Sequence, residues 1–238
     1  MEPTDPPGLS VSDFGIGVSD DDEGGANAVR ADDPRYPVSD LLRRINAMVV
    51  GSPIPDEAFA GAQESLKEAL AHLEAAAGAK RRRRVQPNRR NPAQDYFPTS
   101  PVIGLANPIS PPVEVEATGE GLTGRAFFDY QYEGPPGCVH GGMLAMVLDE
   151  LLGAANIAAN SPGMTGTLTI RYNRPTPIRT ELRVAAKCVG REGRKIRSWG
   201  GMYHGDELTA EAHGVFIELV ADRFMERISK YGNIDLAT

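Results

Sequence analysis

This chain of 238 residues lacks several features that commonly reveal a fold or a chemistry. Its two cysteines, Cys138 and Cys188, are too few for a disulfide scaffold and do not have the spacing of a metal site. It has no glycine-rich loop of the P-loop or dinucleotide-binding type, which argues against nucleotide hydrolysis and redox chemistry. We therefore expect no metal and no cofactor of its own.

The chain also has no apolar run long enough to cross a bilayer, and its N-terminus is acidic, unlike a signal peptide. Its formal net charge of −7 argues against a protein that binds nucleic acid over its whole surface. These absences predict a cytoplasmic protein with no membrane span and no nucleic-acid partner. Its hydrophobic content of 41% is sufficient for a core of ordinary size.

The composition changes several times along the chain. The first 36 residues contain nine acidic residues and two arginines, and such a sequence is typical of disorder. A later basic run could attract the phosphates of a ligand or a nucleic acid, or could be a solvated linker that pairs with the acidic tail. The predicted segments are a disordered acidic tail (1–36), a helical extension (37–79), a basic linker (80–94), a folded domain (95–222) and a C-terminal tail (223–238).

Two helices are predicted in the extension, at 38–50 and 56–77, because apolar residues recur there at helical spacing. The second helix carries one apolar stripe, and Gly78 marks its end. That stripe needs a partner surface, for which the folded domain and a second subunit are the candidates. Its residues are Phe59, Ala62, Leu66, Ala69, Leu70 and Leu73.

Beyond residue 112 the periodicity indicates an α+β fold, with a curved antiparallel β-sheet wrapped around one long central helix. The helix is predicted at 141–159, and it separates two strands from four later ones. Turns that contain glycine, at 190–193 and 204–207, join the last strands as hairpins. The strands are predicted at 113–118, 122–130, 164–173, 180–190, 194–204 and 207–219.

The start of the central helix is the most informative part of the sequence. There His140-Gly-Gly142 opens an apolar helix that carries a carboxylate, Asp149, two turns later. Free backbone N–H groups at a glycine-rich helix start can hold a developing oxyanion. A carboxylate on an apolar helix costs several kcal/mol to bury unless it is paired or neutralised, so it needs a reason. Together these features indicate acyl transfer or hydrolysis.

The spacing of Gly141 and Asp149 predicts a dimer. The two residues are about 12 Å apart along one helix, so they cannot both contact one carbonyl carbon. If both act on the same carbonyl, the carboxylate must come from a second copy of the helix. Two antiparallel helices related by a two-fold axis would bring the Gly141 amide of one near Asp149 of the other. The motif therefore predicts a homodimer, or a dimer of such dimers, with two shared sites.

Three segments of the chain resemble hotdog-fold acyl-CoA thioesterases of the PaaI (phenylacetic acid degradation) type, in the 4-hydroxybenzoyl-CoA thioesterase superfamily. They are Gly134-Pro-Pro-Gly-Cys-Val-His-Gly-Gly142 with Leu148-Asp-Glu150, then Met164–Pro177 with its Tyr-x-Arg-Pro-x-Pro pattern, and Ser100–Pro112 upstream. The resemblance covers about residues 95–220. It implies a hotdog fold and hydrolysis of an acyl- or aryl-CoA thioester, with coenzyme A present only as part of the substrate.

The resemblance also implies roles for individual residues. Asp149 attacks the thioester carbonyl or activates a water, and the Gly141 backbone N–H polarises the carbonyl. The Thr165 hydroxyl either lies near the catalytic carboxylate of the partner subunit or belongs to an ordinary strand threonine. His140 either orients the loop through a side-chain hydrogen bond, which we favour, or acts as an acid or base. Glu150 points about a third of a turn away from Asp149, and we expect it to be an intersubunit or surface carboxylate, with the catalytic base as the less favoured alternative.

Substrate binding is a further role that the sequence suggests. The candidates are Gly142, Asn156, Arg171 and Arg174. The first two lie on a helix stripe of small and polar residues, where a thin ligand could approach. The two arginines could reach the phosphates of coenzyme A, or could form salt bridges with Glu181 or Glu218.

Two other functions remain open. A non-catalytic acyl-CoA-binding or regulatory protein is compatible with the extension, which could contact a partner. A hydratase would need a His–carboxylate pair, and the only histidine near the helix is already at its start. The intact His-Gly-Gly motif and Asp149 favour the thioesterase.

Overall fold

The computed structural model describes residues 33–77, 98–111, 113–119 and 121–218. The predicted acidic tail before residue 33, the basic linker and the C-terminal tail lie outside the described residues. A short 3-10 helix, Tyr130–Tyr132, precedes the central helix. The other elements are α1 (Arg35–Gly51), α2 (Asp56–Ala76), β1 (Val113–Thr118), β2 (Gly121–Phe127), α3 (Gly141–Ala158), β3 (Gly163–Tyr172), β4 (Glu181–Glu192), β5 (Lys195–His204) and β6 (Glu207–Glu218).

The six strands form one sheet in the order β1-β2-β4-β5-β6-β3, and every neighbouring pair is antiparallel. After α3 the chain enters β3, which joins the far edge of the sheet beside β6. Helix α3 packs across one face of the sheet and contacts strands β2 to β6. This arrangement confirms the predicted hotdog fold, with a sheet around one helix and further helices at the N-terminus.

Helix α3 packs against the sheet through its apolar stripe. The predicted core residues Leu144, Val147, Leu148, Leu151 and Leu152 are all buried. Two strand glycines make room for the last of them. A Cβ on Gly200 of β5 would lie 2.6 Å from Leu152 Cδ1, and one on Gly214 of β6 would lie 2.8 Å from its Cδ2. The sheet therefore has a depression, free of side chains, that receives Leu152.

The apolar character of α3 has a structural reason. Among the described residues it is the one helix whose length and composition would suffice to cross a membrane. Its leucines and Val147 are buried under the sheet, as expected for the central helix of a core. Its hydropathy is thus accounted for by packing inside the domain.

Helix α1 is attached to the domain. Its Ala47 is buried, and a Cβ on Gly51 would overlap the Tyr130 ring of the 3-10 helix. The Arg43 guanidinium donates to the backbone carbonyls of Leu105 and Asn107, at 3.4 and 3.1 Å. Since α1 begins at residue 35, the folded part starts slightly earlier than the predicted boundary at residue 37.

Helix α2, by contrast, is not packed against other described parts of the chain. None of its 21 residues is buried. The folded domain was one of the two expected partners of the apolar stripe. In the described part of the chain the stripe is not packed against it. Leu70 and Leu73 of the stripe are 55% and 62% exposed.

One predicted turn is displaced. The β4–β5 hairpin turns at Gly193-Arg194, with φ of +55° at Gly193, and not over 190–193. A register shift between Cys188 and Gly190 lets β4 continue to Glu192 before it turns, because a bulge absorbs the extra residue. The β5–β6 turn lies where it was predicted.

Gly200→Ala is expected to destabilise the protein by about 1–3 kcal/mol, because the added methyl group would overlap Leu152 Cδ1. The cost should fall in a Leu152→Ala background, although that change is destabilising by itself. Urea unfolding of the two single variants and the double variant measures this coupling. Gly190→Ala is the control, since nothing lies within 4 Å of the methyl group there. Additive costs in the double variant would contradict the contact.

Candidate active site

A cavity of about 330 Å³ opens between α3, the start of β3 and β6. Its walls combine two carboxylates and one hydroxyl with small and apolar residues. Among the described residues that line it, none is basic and none is a histidine. Its larger apolar walls are Ile157, Met164 and Phe216, and its polar side chains are Asp149, Glu150 and Thr165.

Asp149 is held by Thr165. The Thr165 hydroxyl donates a hydrogen bond of 2.9 Å to Asp149 Oδ1. Both residues belong to one chain, which corrects the expectation that Thr165 would lie by the partner subunit's carboxylate. The reason is that only four residues join α3 to β3, so the first residues of β3 lie beside the helix that precedes them. Asp149 Oδ2 accepts no hydrogen bond from a described residue, and it is left for a ligand or a water.

Glu150 is turned into the domain. The buried hydroxyl of Ser100 donates to Glu150 Oε1 at 2.9 Å and accepts the Val102 N–H at 3.0 Å. Burial raises the pKa of Glu150, the hydrogen bond from Ser100 lowers it, and the neighbouring charge of Asp149 raises it. Of the two expectations for Glu150, the surface carboxylate is therefore wrong, and the intersubunit carboxylate stays a prediction. The sequence did not identify Ser100 as a site residue. Its only signal was that Ser100 begins the segment Ser100–Pro112, which resembles the thioesterase family.

The two carboxylates have different environments. Burial favours the neutral form of Glu150. Asp149 instead has one oxygen fixed by a hydroxyl and the other facing the cavity. Pairs of carboxyl groups placed in such contrasting surroundings can take different chemical roles.

The start of α3 offers one free amide. His140 caps the helix, because its Nδ1 accepts the Gly142 N–H at 3.0 Å, which is the orienting role expected for it. The Gly142 amide is therefore occupied, whereas the Gly141 N–H has no acceptor among the described residues. The Tyr172 hydroxyl, which sequence reasoning missed, donates to the Gly141 carbonyl at 2.9 Å and ties the end of β3 to the helix start.

Asn156 does not belong to the cavity. It is fully buried, and its Oδ1 accepts a 2.6 Å hydrogen bond from the Ser198 hydroxyl of β5. The predicted role in substrate binding is therefore wrong for this residue. The polar stripe of α3 lines the cavity at Asp149 and Gly153, but its next turn runs beneath the sheet.

Arg171 and Arg174 lie at the exposed end of β3. Their guanidinium groups are 3.7 Å from Glu211 and 3.6 Å from Glu207, and not near the glutamates that the sequence suggested. The two arginine side chains are 75% and 61% exposed. Ion pairs this long and this exposed are weak, so both cations are available to another anion.

Other chemistries find little support in the described part of the chain. No three His, Cys, Asp or Glu side chains converge there as a metal site would require. Cys138 and Cys188 are both free thiols. Among the described residues no histidine lines the cavity, and the Nδ1 of His140 is used by the helix cap, so the His–carboxylate pair that a hydratase needs is not seen there.

Comparisons with known proteins point in one direction, although no family model matches the chain. A solved structure of a thioesterase superfamily protein is 30% identical, with a TM-score of 0.70, and the match covers 78% of this chain and 91% of that one. Acyl-coenzyme A thioesterase THEM4 of Xenopus laevis is 37% identical over 89 residues, which are 37% of this chain and 40% of that protein. THEM4 of Bos taurus is 35% identical over 89 residues, 37% of this chain and 36% of its own. The chain thus spans less than half the length of these curated relatives.

Glu150→Gln is expected to gain stability relative to the unchanged protein as the pH rises. The raised pKa of Glu150 means that the folded state keeps a proton at pH values where the unfolded state has lost it. The contribution of this group is therefore full below its unfolded pKa and is lost as the pH rises through its folded pKa. Glutamine has no such loss and can still accept from Ser100. Urea midpoints of both proteins, from about pH 4 to pH 8, measure the trend.

The exposed Glu116→Gln on β1 is the matched control, because that side chain faces solvent. It should show no gain of the same kind. A stability difference for Glu150→Gln that stays constant over the whole pH range would contradict the burial of this carboxyl group.

Proposed function

The chain belongs to the thioesterase superfamily, and from this we propose that it hydrolyses the thioester of an acyl- or aryl-CoA to the free acid and coenzyme A. The observation that carries the proposal is the Asp149–Thr165 pair, in a cavity whose other walls are largely small or apolar. Such a cavity can receive an acyl or aryl group beside a carboxylate. The similarity to proteins named acyl-coenzyme A thioesterases supports the same substrate class.

Two chemical routes would use Asp149. As a general base, it takes a proton from water, the hydroxide adds to the carbonyl carbon, the C–S bond breaks, and the thiolate of coenzyme A takes up a proton. As a nucleophile, it forms a C–O bond to that carbon while the C–S bond breaks, and water then hydrolyses the anhydride. In either route Oδ2 reacts while Thr165 fixes Oδ1.

The developing negative charge on the carbonyl oxygen is assigned to the Gly141 backbone N–H, at the positive end of α3. This amide has no acceptor among the described residues, whereas the Gly142 amide is held by His140. The hydrogen bond from Tyr172 to the Gly141 carbonyl fixes the orientation of the helix start. In this scheme His140 and Tyr172 are positioning residues.

The site is proposed to be shared between two subunits. Gly141 does not line the cavity that contains Asp149, and the two are about 12 Å apart along α3. A homodimer in which each subunit supplies the amide to the other's carboxylate resolves that separation. Strand β3 supports it, since it is an edge strand of the described sheet, with mostly exposed side chains and backbone groups available for pairing. Arg171 and Arg174, at its end, are proposed to bind the phosphates of coenzyme A.

Asp149→Asn is expected to lower thioester hydrolysis by about a hundredfold or more, because it removes the base or nucleophile. The measurement is thiol release from a panel of acyl- and aryl-CoA substrates. Asp206→Asn, in the turn between β5 and β6, is the control and should retain full activity. Turnover close to the unchanged protein in Asp149→Asn would remove this residue from the mechanism.

Mixed dimers of Asp149→Asn and Gly141→Pro chains are expected to regain about a quarter of the full activity, since half of the molecules are mixed and one of their two sites is intact. Proline at the first helical position removes the N–H and is compatible with a helix. His140, with φ of −60° and ψ of 131°, already has a conformation that can precede proline.

The matched control mixes Asp149→Asn with Thr165→Val chains. Thr165 serves the carboxylate of its own chain, so no mixed site contains both intact groups and activity should not recover. Recovery in the Thr165 mixture, or none in the Gly141 mixture with subunit exchange verified, would contradict the shared arrangement.

A further inference from the structure

Helix α2 presents an apolar face that the rest of the described chain does not cover. Its large side chains Phe59, Leu66, Leu70 and Leu73 are between 37% and 62% exposed. The helix is about 31 Å long, so this face can receive another helix over several turns. A contiguous apolar stripe of this kind on a surface marks an interaction site.

The stripe follows a heptad repeat with two sizes of side chain. Large residues recur every seven positions, and alanines recur every seven positions three residues later. In the usual heptad notation the large residues occupy position a and the alanines position d. The set is Phe59, Leu66 and Leu73 at a, and Ala62, Ala69 and Ala76 at d.

We infer that α2 pairs in antiparallel orientation with α2 of a second copy of this chain. In an antiparallel pair, each a position faces a d position of the other helix, so every large side chain at position a meets an alanine, while Leu70, at position e, flanks the contact. Leu66 then faces Ala69 of the partner subunit, and Leu73 faces Ala62 of the partner subunit. A parallel pair would place large residues together in one layer and alanines in the next, and such alternating crowding and voids are poor packing.

The charges of α2 leave its apolar face clear. Apart from Asp56 at position e, the helix carries its charges at positions b, c and f. The charged residues at the outer positions are Glu57, Glu64, Lys67, Glu68 and Glu74.

The size of the face defines what this contact contributes. A face about 31 Å long and about 10 Å wide is smaller than the roughly 800 Å² per partner of a standard interface. The α2 pair therefore adds to an interface elsewhere in the assembly and does not by itself hold two copies together. The inference does not depend on the proposed activity.

Directed disulfides test the pairing in the full chain. Cys138→Ser and Cys188→Ala are present throughout, one chain carries Ala62→Cys and the other Leu73→Cys, and the two are co-expressed and oxidised. We expect the disulfide between unlike chains to exceed that between like chains by about tenfold or more. Like positions on antiparallel helices would be about 16 Å apart, beyond the reach of a disulfide. An excess of disulfides between like chains would show a parallel pair, equal amounts of the two disulfides would show unspecific contact, and none at all would show no pair; each of these results overturns the inference.

Two charge variants supply the control. Leu66→Glu buries a charge in the proposed contact and should abolish the disulfide between unlike chains. Ala71→Glu adds the same charge at the outer position f and should leave it unchanged. Neither position is buried within the chain, so circular dichroism should report the same fold for both. Equal loss of the disulfide in the two variants would contradict the proposed face.

Discussion

Asp149 and Glu150 follow one another on the helix that forms the centre of the core, and the surrounding structure depends on how these two carboxylates are accommodated. Adjacent residues on a helix point about 100° apart, so one partner cannot serve both. Thr165 approaches Asp149 from β3, and Ser100 approaches Glu150 from the segment before β1. No cation lines the cavity among the described residues. The cavity lies beside the start of β3, and the segment 98–111 is linked to it through the hydrogen bond from Ser100 to Glu150.

Sequence periodicity predicted the framework of the domain well. The bounds of β1 were as predicted, and α3 and the other strands fall within about three residues of their expected limits. Alternating and helical patterns define which face of an element is buried, and glycine turns separate the elements. The exception is the β4–β5 turn. The bulge after Cys188 adds a residue to β4, and the alternation of apolar and polar residues does not reveal it.

The site itself was only partly predictable. The free Gly141 amide and the position of Asp149 follow from local sequence, because a helix start and a helix face are local features. Contacts between distant segments do not: Ser100 is 50 residues from Glu150, and Tyr172 is 31 residues from Gly141. Periodicity indicates a face but not the residue opposite it. The burial of Asn156 was missed for the same reason, since its stripe leaves the cavity within one turn.

The N-terminal extension shows a similar division. Both helices were predicted, but only the structure distinguishes α1, which is attached to the domain, from α2, which is not. The solved thioesterase superfamily structure matches 78% of the chain, whereas the unit from β1 to β6 occupies less than half of it. The extension is thus, at least in part, a feature that the chain shares with that structure.

Strand β3 carries Thr165 near its start and Tyr172 at its end. The first holds the carboxylate of its own chain, and the second fixes the helix start whose amide, in a shared site, serves the other carboxylate. One strand then supports parts of two different sites. In a dimer with shared sites, a displacement of β3 at one site would also move the residue that supports the other. Communication between the two sites would then follow from the position of this one strand.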